Sequence, residues 1–202
     1  MAGFAGSAGH DKVMRTFVAI EMSDDIRKAL AQVESHLKYA GADVKWVKPE
    51  IVHLTLKFLG EIDEKKSAEV CAAMDSITRT VKSFELSVKN IGAFPKIEHP
   101  RVVWVGLDKG SAEIAALASQ IDEALAHIGF NKESRPFSPH LTIGRVRSSL
   151  NKDKLKEKMV SATASIDISS VPPHQVSSIV LFQSTLTPQG SIYTKIHESR
   201  LI

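Results

Sequence analysis

The tripeptide His-Leu-Thr occurs twice in this chain, at residues 53–55 and 140–142, 87 residues apart and each time followed by an aliphatic residue. With 8 His, 15 Leu and 9 Thr among 202 residues, one copy would arise by chance roughly 0.03 times, so two point to an internal duplication. A duplication constrains the fold strongly, because each half must build the same kind of strand and the halves must form two related lobes. Side chains alternate along a strand, which puts His53 and Thr55 on one face about 7 Å apart and Leu54 and Leu56 on the other. His140 and Thr142 repeat that arrangement.

The flanking sequence alternates between strand and helix patterns. Arg15 to Glu21 reads as a strand, followed by Ser23 as a helix N-cap and a stripe of Ile26, Leu30, Val33 and Leu37 running up to Gly41. A short extended piece at 44–47 is broken by Pro49, and 51–59 alternates with Val52, Leu54, Leu56 and Phe58 on one face. Val70, Met74, Ile77 and Val81 predict a second helix, and 84–88 and 101–107 predict strands. Ser111 is expected to cap a helix carrying Ile114, Leu117, Ile121, Leu125 and Ile128, ended by Gly129. A strand over 140–146, a weaker helix near Leu155 and Met159, an alternating Ile166 and Ile168, and a hairpin turning at 187–190 complete the pattern.

Hairpin-like neighbours and few Gly-rich βα turns favour an α+β fold with mainly antiparallel sheets. No linker is long enough to part independent domains, so residues 14–202 are expected to form one bilobal unit. Residues 1–13, aperiodic and rich in small side chains, read as a tail or an expression remnant.

Composition narrows the function classes. The chain holds 26 Lys+Arg against 23 Asp+Glu, a formal charge of +3, which is no polybasic surface. Its single cysteine, Cys71, rules out an internal disulfide or a multi-cysteine zinc site and reads as an inert buried thiol. No apolar run is long enough to span a bilayer, and the first segment has neither the basic start nor the apolar stretch expected of a secretory leader, so a cytoplasmic protein without membrane association is expected.

A polar His-x-Thr face on a strand calls for solvent or a ligand. If the lobes are related by a pseudo-twofold, both imidazoles and both hydroxyls converge on one cleft. One neutral imidazole can then take a proton from water while a protonated one gives a proton to the leaving oxygen, and both jobs need a pKa near 7. Thr55 and Thr142 can donate to phosphoryl oxygens, and Lys57 and Arg145 follow closely enough to add positive charge. Strict alternation points Arg145 away from the cleft, so it joins only if Gly144 permits a bulge. No metal or cofactor is required by this chemistry.

These motifs, with 15–20 (Arg-Thr-Phe-Val-Ala-Ile), 53–60, 101–106, 137–145 and 181–193, resemble the two-histidine (2H) phosphoesterase superfamily. The resemblance is to its RNA 2′,3′-cyclic phosphodiesterases, also called 2′-5′ RNA ligases, and spans roughly 14–202. It implies a bilobal α+β fold, each lobe an antiparallel sheet backed by helices, with the motifs facing across a central groove. It also implies hydrolysis of an RNA terminal 2′,3′-cyclic phosphate to a 2′-phosphate, with 2′-5′ ligation of ends such as tRNA halves as the reverse. His53 and His140 become the acid/base pair, with Thr55, Thr142, Arg145 and Lys57 on the phosphate. The pseudo-symmetry leaves both role assignments open, the preferred one having His53 protonate the 3′ oxygen and His140 activate water. Phe17 and Phe137, and with them Trp46 and Tyr193, are candidates to stack on the terminal base. The expected partner is an RNA end, and the expected state a monomer.

Other features keep structural readings. His36, His99, His127, His174 and His197 lack a paired context, Trp104 lies in an apolar strand that suggests core, and 152–158 reads as a solvated helix face. Two alternatives remain on the same fold: a cyclic phosphodiesterase for small nucleotides, and a non-catalytic RNA-end binder. A binder would need cations and hydroxyls but no paired imidazoles. A long RNA would give salt-sensitive affinity where a mononucleotide would not.

Overall fold

The computed structural model describes residues 13–188 and 190–202. The proposed tail therefore lies, apart from Val13, outside the described residues. The chain runs β1 (Met14–Glu21), α1 (Asp24–Lys38), β2 (Val44–Trp46), β3 (His53–Ile62), α2 (Glu64–Thr78), β4 (Phe84–Leu86), β5 (Val88–Phe94) and β6 (Val102–Leu107). It continues through α3 (Ser111–His127), β7 (His140–Val146), α4 (Lys152–Ser165), β8 (His174–Val176), β9 (Ser178–Thr187) and β10 (Gly190–Arg200).

Two four-stranded antiparallel sheets organise the molecule, with strand orders β10-β9-β1-β3 and β2-β7-β6-β5, and β4 pairs with β8 in a small third sheet. Helices α2 and α3 pack on the first sheet, and α1 packs on α4, which lies against β5 of the second. The fold is thus the bilobal α+β arrangement with a central groove. The motif strands β3 and β7 adjoin one another where the lobes meet.

Local chemistry explains the elements. Ser23 caps α1 by accepting from the Ile26 amide at 3.4 Å, and Ile26, Leu30, Val33 and Leu37 are buried as the stripe requires. Ile114, Leu117, Ile121 and Leu125 do the same on α3, although its cap position belongs to Gly110 and Ser111 is the first helical residue. The expected alternation at Ile166 and Ile168 is not a strand: residues 168–170 form a single 3-10 turn after α4.

One continuous core lies on the helix-facing sides of both sheets and includes Val18, Ile20, Leu54, Leu56, Val103, Val105, Leu141 and Ile143. A separate small cluster of Phe17, Ala19, Val180 and Phe182, with Tyr193 against it, covers the other face of the first sheet. That second face carries His53. No helix among the described residues is long and apolar enough to cross a membrane.

Candidate active site

His53 opens β3 and His140 opens β7. Their Nδ1 atoms make the same contact, His53 to the carbonyl of Ile51 at 2.9 Å and His140 to the carbonyl of Ser138 at 2.7 Å. A carbonyl can only accept, so each Nδ1 carries a proton, and each Nε2 is left as the reactive nitrogen. Both rings also have aromatic walls. Phe17 stacks on His53 with centroids 4.6 Å apart, and Tyr193 meets it edge-on at 5.0 Å. Phe94 meets His140 edge-on at 4.9 Å, with Trp104 at 6.5 Å. Burial in the first collar pushes the His53 pKa down, only partly offset by the Ile51 carbonyl.

Partners in an antiparallel ladder share a face, so the register reports where each following side chain points. On β7, Thr142 faces Trp104 but Gly144 faces Val103, which leaves Ile143 as an extra, unopposed residue. That bulge reverses the alternation and brings Arg145, opposite Val102, onto the face of His140 and Thr142. Gly144 is required there: a Cβ would sit 2.8 Å from Val44 Cγ1 and 2.9 Å from the Trp46 ring.

The first motif has the same bulge with a different result. Thr55 faces Ala19 while Lys57 faces Val18, so Leu56 is the extra residue. Lys57 is turned onto the core side, where its side chain is 3% exposed and its ammonium donates to Asp122 and to the Asn131 carbonyl on the α3 side. Lys57 therefore does not belong to the phosphate set, which corrects the expectation. Phe58, expected on the core face, is turned out instead and is 60% exposed. It occupies in the first motif the place that Arg145 occupies in the second.

The aromatic expectations also divide. Phe17 is 3% exposed, with Phe182 stacked at 5.4 Å beside the His53 contact, so it offers no face to a base. It supports the imidazole. Phe137 is half-buried against the main core. Trp104, expected as core, instead shares the face of His140 and Thr142 and lies flat over Gly92, where a Cβ would fall 2.3 Å from the indole. Phe94 and Phe182 had no readable signal, since an isolated Phe in an apolar strand looks like core.

Trp46 and Tyr193 line a cavity of about 390 Å³ together with Lys45, Lys48, Arg145 and Thr187. It opens between β2 and the β9–β10 hairpin, and through Tyr193 it abuts the His53 ring. A cavity of about 380 Å³ between β5 and the end of α4 contains none of the motif residues.

Two antiparallel sheets, each carrying a His-x-Thr strand face, define a two-motif phosphoesterase. The family model of LigT-like phosphoesterases matches the chain twice, over residues 20–104 and 105–193, one match for each motif. The chain belongs to that family. It is 35% identical over 188 residues to an RNA 2′,3′-cyclic phosphodiesterase of Methanothermobacter thermautotrophicus, covering 93% of this chain and 99% of the relative. A protein of the same name from Methanocaldococcus jannaschii is 36% identical over 185 residues, with 92% and 99% covered. Among solved structures, E. coli LigT complexed with 3′-AMP matches with a TM-score of 0.73 at 22% identity, covering 94% of this chain and 99% of that one. A Thermus thermophilus structure matches with a TM-score of 0.74 at 24% identity, covering 93% and 98%. The last two matches bear on the fold alone.

Proposed function

We propose that this protein hydrolyses RNA terminal 2′,3′-cyclic phosphate to a 2′-phosphate by a two-histidine acid/base mechanism. The observation that carries the reading is the pair of His-x-Thr strand faces, each imidazole fixed through Nδ1 to a carbonyl so that Nε2 is free. Water attacks phosphorus in line with the P–O3′ bond. One Nε2 accepts its proton, the P–O3′ bond breaks, and the other imidazolium protonates the departing oxygen. Thr55 and Thr142 donate to the non-bridging oxygens, and Arg145 balances the charge gathered there.

His53 is assigned as the acid and His140 as the base. Burial disfavours the His53 imidazolium in the free protein, so this assignment requires the anion of the bound substrate, which interacts strongly with an enclosed imidazolium, to bring the proton to His53. With a 5′-hydroxyl in place of the attacking water, the same steps join the cyclic phosphate to it in a 2′-5′ linkage, the P–O3′ bond breaking and O3′ taking the proton, which would suit the halves of a cleaved tRNA. We further take residues 14–202 as one bilobal domain, since strands from both ends of the chain build the first sheet, and place the enzyme in the cytoplasm as a monomer.

The test is incubation of a short RNA ending in 2′,3′-cyclic phosphate with the wild-type protein in excess EDTA. The product expected is a 2′-phosphate end. A 3′-phosphate product, or binding without turnover, contradicts the reading.

A further inference from the structure

We propose that Lys45 and Lys48, beside Arg145, form a subsite for the phosphodiester on the 5′ side of the terminal nucleoside. The protein would thereby select RNA chain ends over free nucleoside cyclic phosphates. This rests on the function proposed above and adds the residues that read the rest of the substrate.

The first observation is a cost in the sheet. Lys45 on β2 lies directly opposite Arg145 on β7. Like charges placed opposite one another across a ladder are destabilising, so an anion between them relieves the repulsion. The second is a lack of partners. Other lysines among the described residues divide: Lys28, Lys38, Lys57 and Lys66 are among those that pair with a carboxylate, while Lys65, Lys82, Lys96 and those of α4 do not, so what distinguishes Lys45 and Lys48 is the cavity they share with Arg145. Among the described residues Lys45, Lys48 and Arg145 form no ion pair, and no carboxylate lines the cavity they share.

The third observation is shape. The cavity holds about 390 Å³ and has Trp46 and Tyr193 in its walls, room and surface for a nucleoside with cations beside it. Tyr193 also touches the His53 ring at 5.0 Å, so the cavity begins where the reacting phosphate would sit. A chain entering the groove would therefore lay its next phosphodiester against the lysines. Lys57, the cation that the first motif advertised, takes no part because its bulge turns it into the core.

The experiment compares adenosine 2′,3′-cyclic phosphate with the dinucleotide carrying the same cyclic end, using wild type, the Lys45→Gln/Lys48→Gln double variant and Lys45→Arg/Lys48→Arg. The quantity read is the ratio of kcat/KM for dinucleotide over mononucleoside. In wild type the ratio exceeds one. In the Gln variant it falls about tenfold, and the salt dependence of dinucleotide turnover flattens by about 0.7 in log–log slope, the share of one phosphate contact. The Arg variant, which keeps the charge, restores the ratio. A ratio unchanged by the Gln variant overturns the subsite, as does an equal loss on both substrates that the Arg variant also shows. If wild type turns over the mononucleoside without preferring the dinucleotide, this inference fails while the proposed function stands. If it turns over neither, both fail.

Discussion

His53 is the more enclosed of the two imidazoles, walled by Phe17, Phe182 and Tyr193, and its depressed pKa has a kinetic consequence. In the proposed mechanism the active state carries one proton across the pair. As pH falls, the second proton enters at the lower of two coupled constants, which the burial of His53 draws below its ordinary 6.5. The profile of kcat/KM should therefore be bell-shaped with its acid limb below pH 6.5, and Phe17→Leu, by admitting water, should move that limb upward. A limb at or above 6.5 that Phe17→Leu leaves in place contradicts this. The division of labour is tested with a substrate whose bridging 3′ oxygen is replaced by sulfur, a leaving group that needs no proton. His53→Ala should recover most of its lost rate on that substrate and His140→Ala should not; recovery by His140→Ala alone would reverse the assignment. The two histidines and two threonines were readable in the sequence because duplication doubled their signal. The aromatic collars were not, because their residues come from five other strands.

At the scale of the element, the matched bulges at Leu56 and Ile143 decide which neighbours join the histidines. Period-2 reasoning located both strands and their core faces, yet it carried Phe58 inward and Arg145 outward, since a single extra residue reverses every later side chain. Gly144 hinted at the second bulge; nothing in 53–60 hinted at the first. Lys57 shows the result. Burial pushes the Asp122 carboxyl up, but the Lys57 ammonium, the Glu133 amide and the Lys132 charge together hold it below the usual range. The pair ties β3 to α3. Asp122→Ala, which strands a buried cation, should destabilise the protein by about 3 kcal/mol in denaturant unfolding. Lys57→Met should cost less stability and leave kcat/KM within about threefold of wild type, the range of a small packing change. A large kcat/KM loss in a well-folded Lys57→Met protein would return Lys57 to the phosphate.

On the scale of the whole molecule, two sheets place the same strand chemistry on either side of one groove, and the chain contributes to both before and after its midpoint. The α+β class, the duplication and the C-terminal hairpin were legible from short-range patterns. The strand orders were not, because joining β9 to β1 depends on contacts across most of the chain. The symmetry is incomplete where the lobes face each other: Arg145 stands opposite Phe58 in motif position, and only the second sheet adds a lysine-bearing strand beside its motif. In the proposed mechanism the duplicated scaffold supplies the reaction, and its asymmetric edges are where the rest of the substrate would be read. The central claim, that the two imidazoles act as one acid/base unit, is tested most directly by single-turnover rates on a cyclic-phosphate RNA for His53→Ala, His140→Ala and the double variant. Each single variant should lose about 10²-fold or more, and the double should lose far less than the product of the two, as residues that work together do. A single variant that keeps near wild-type rate, or losses that simply multiply, would contradict it.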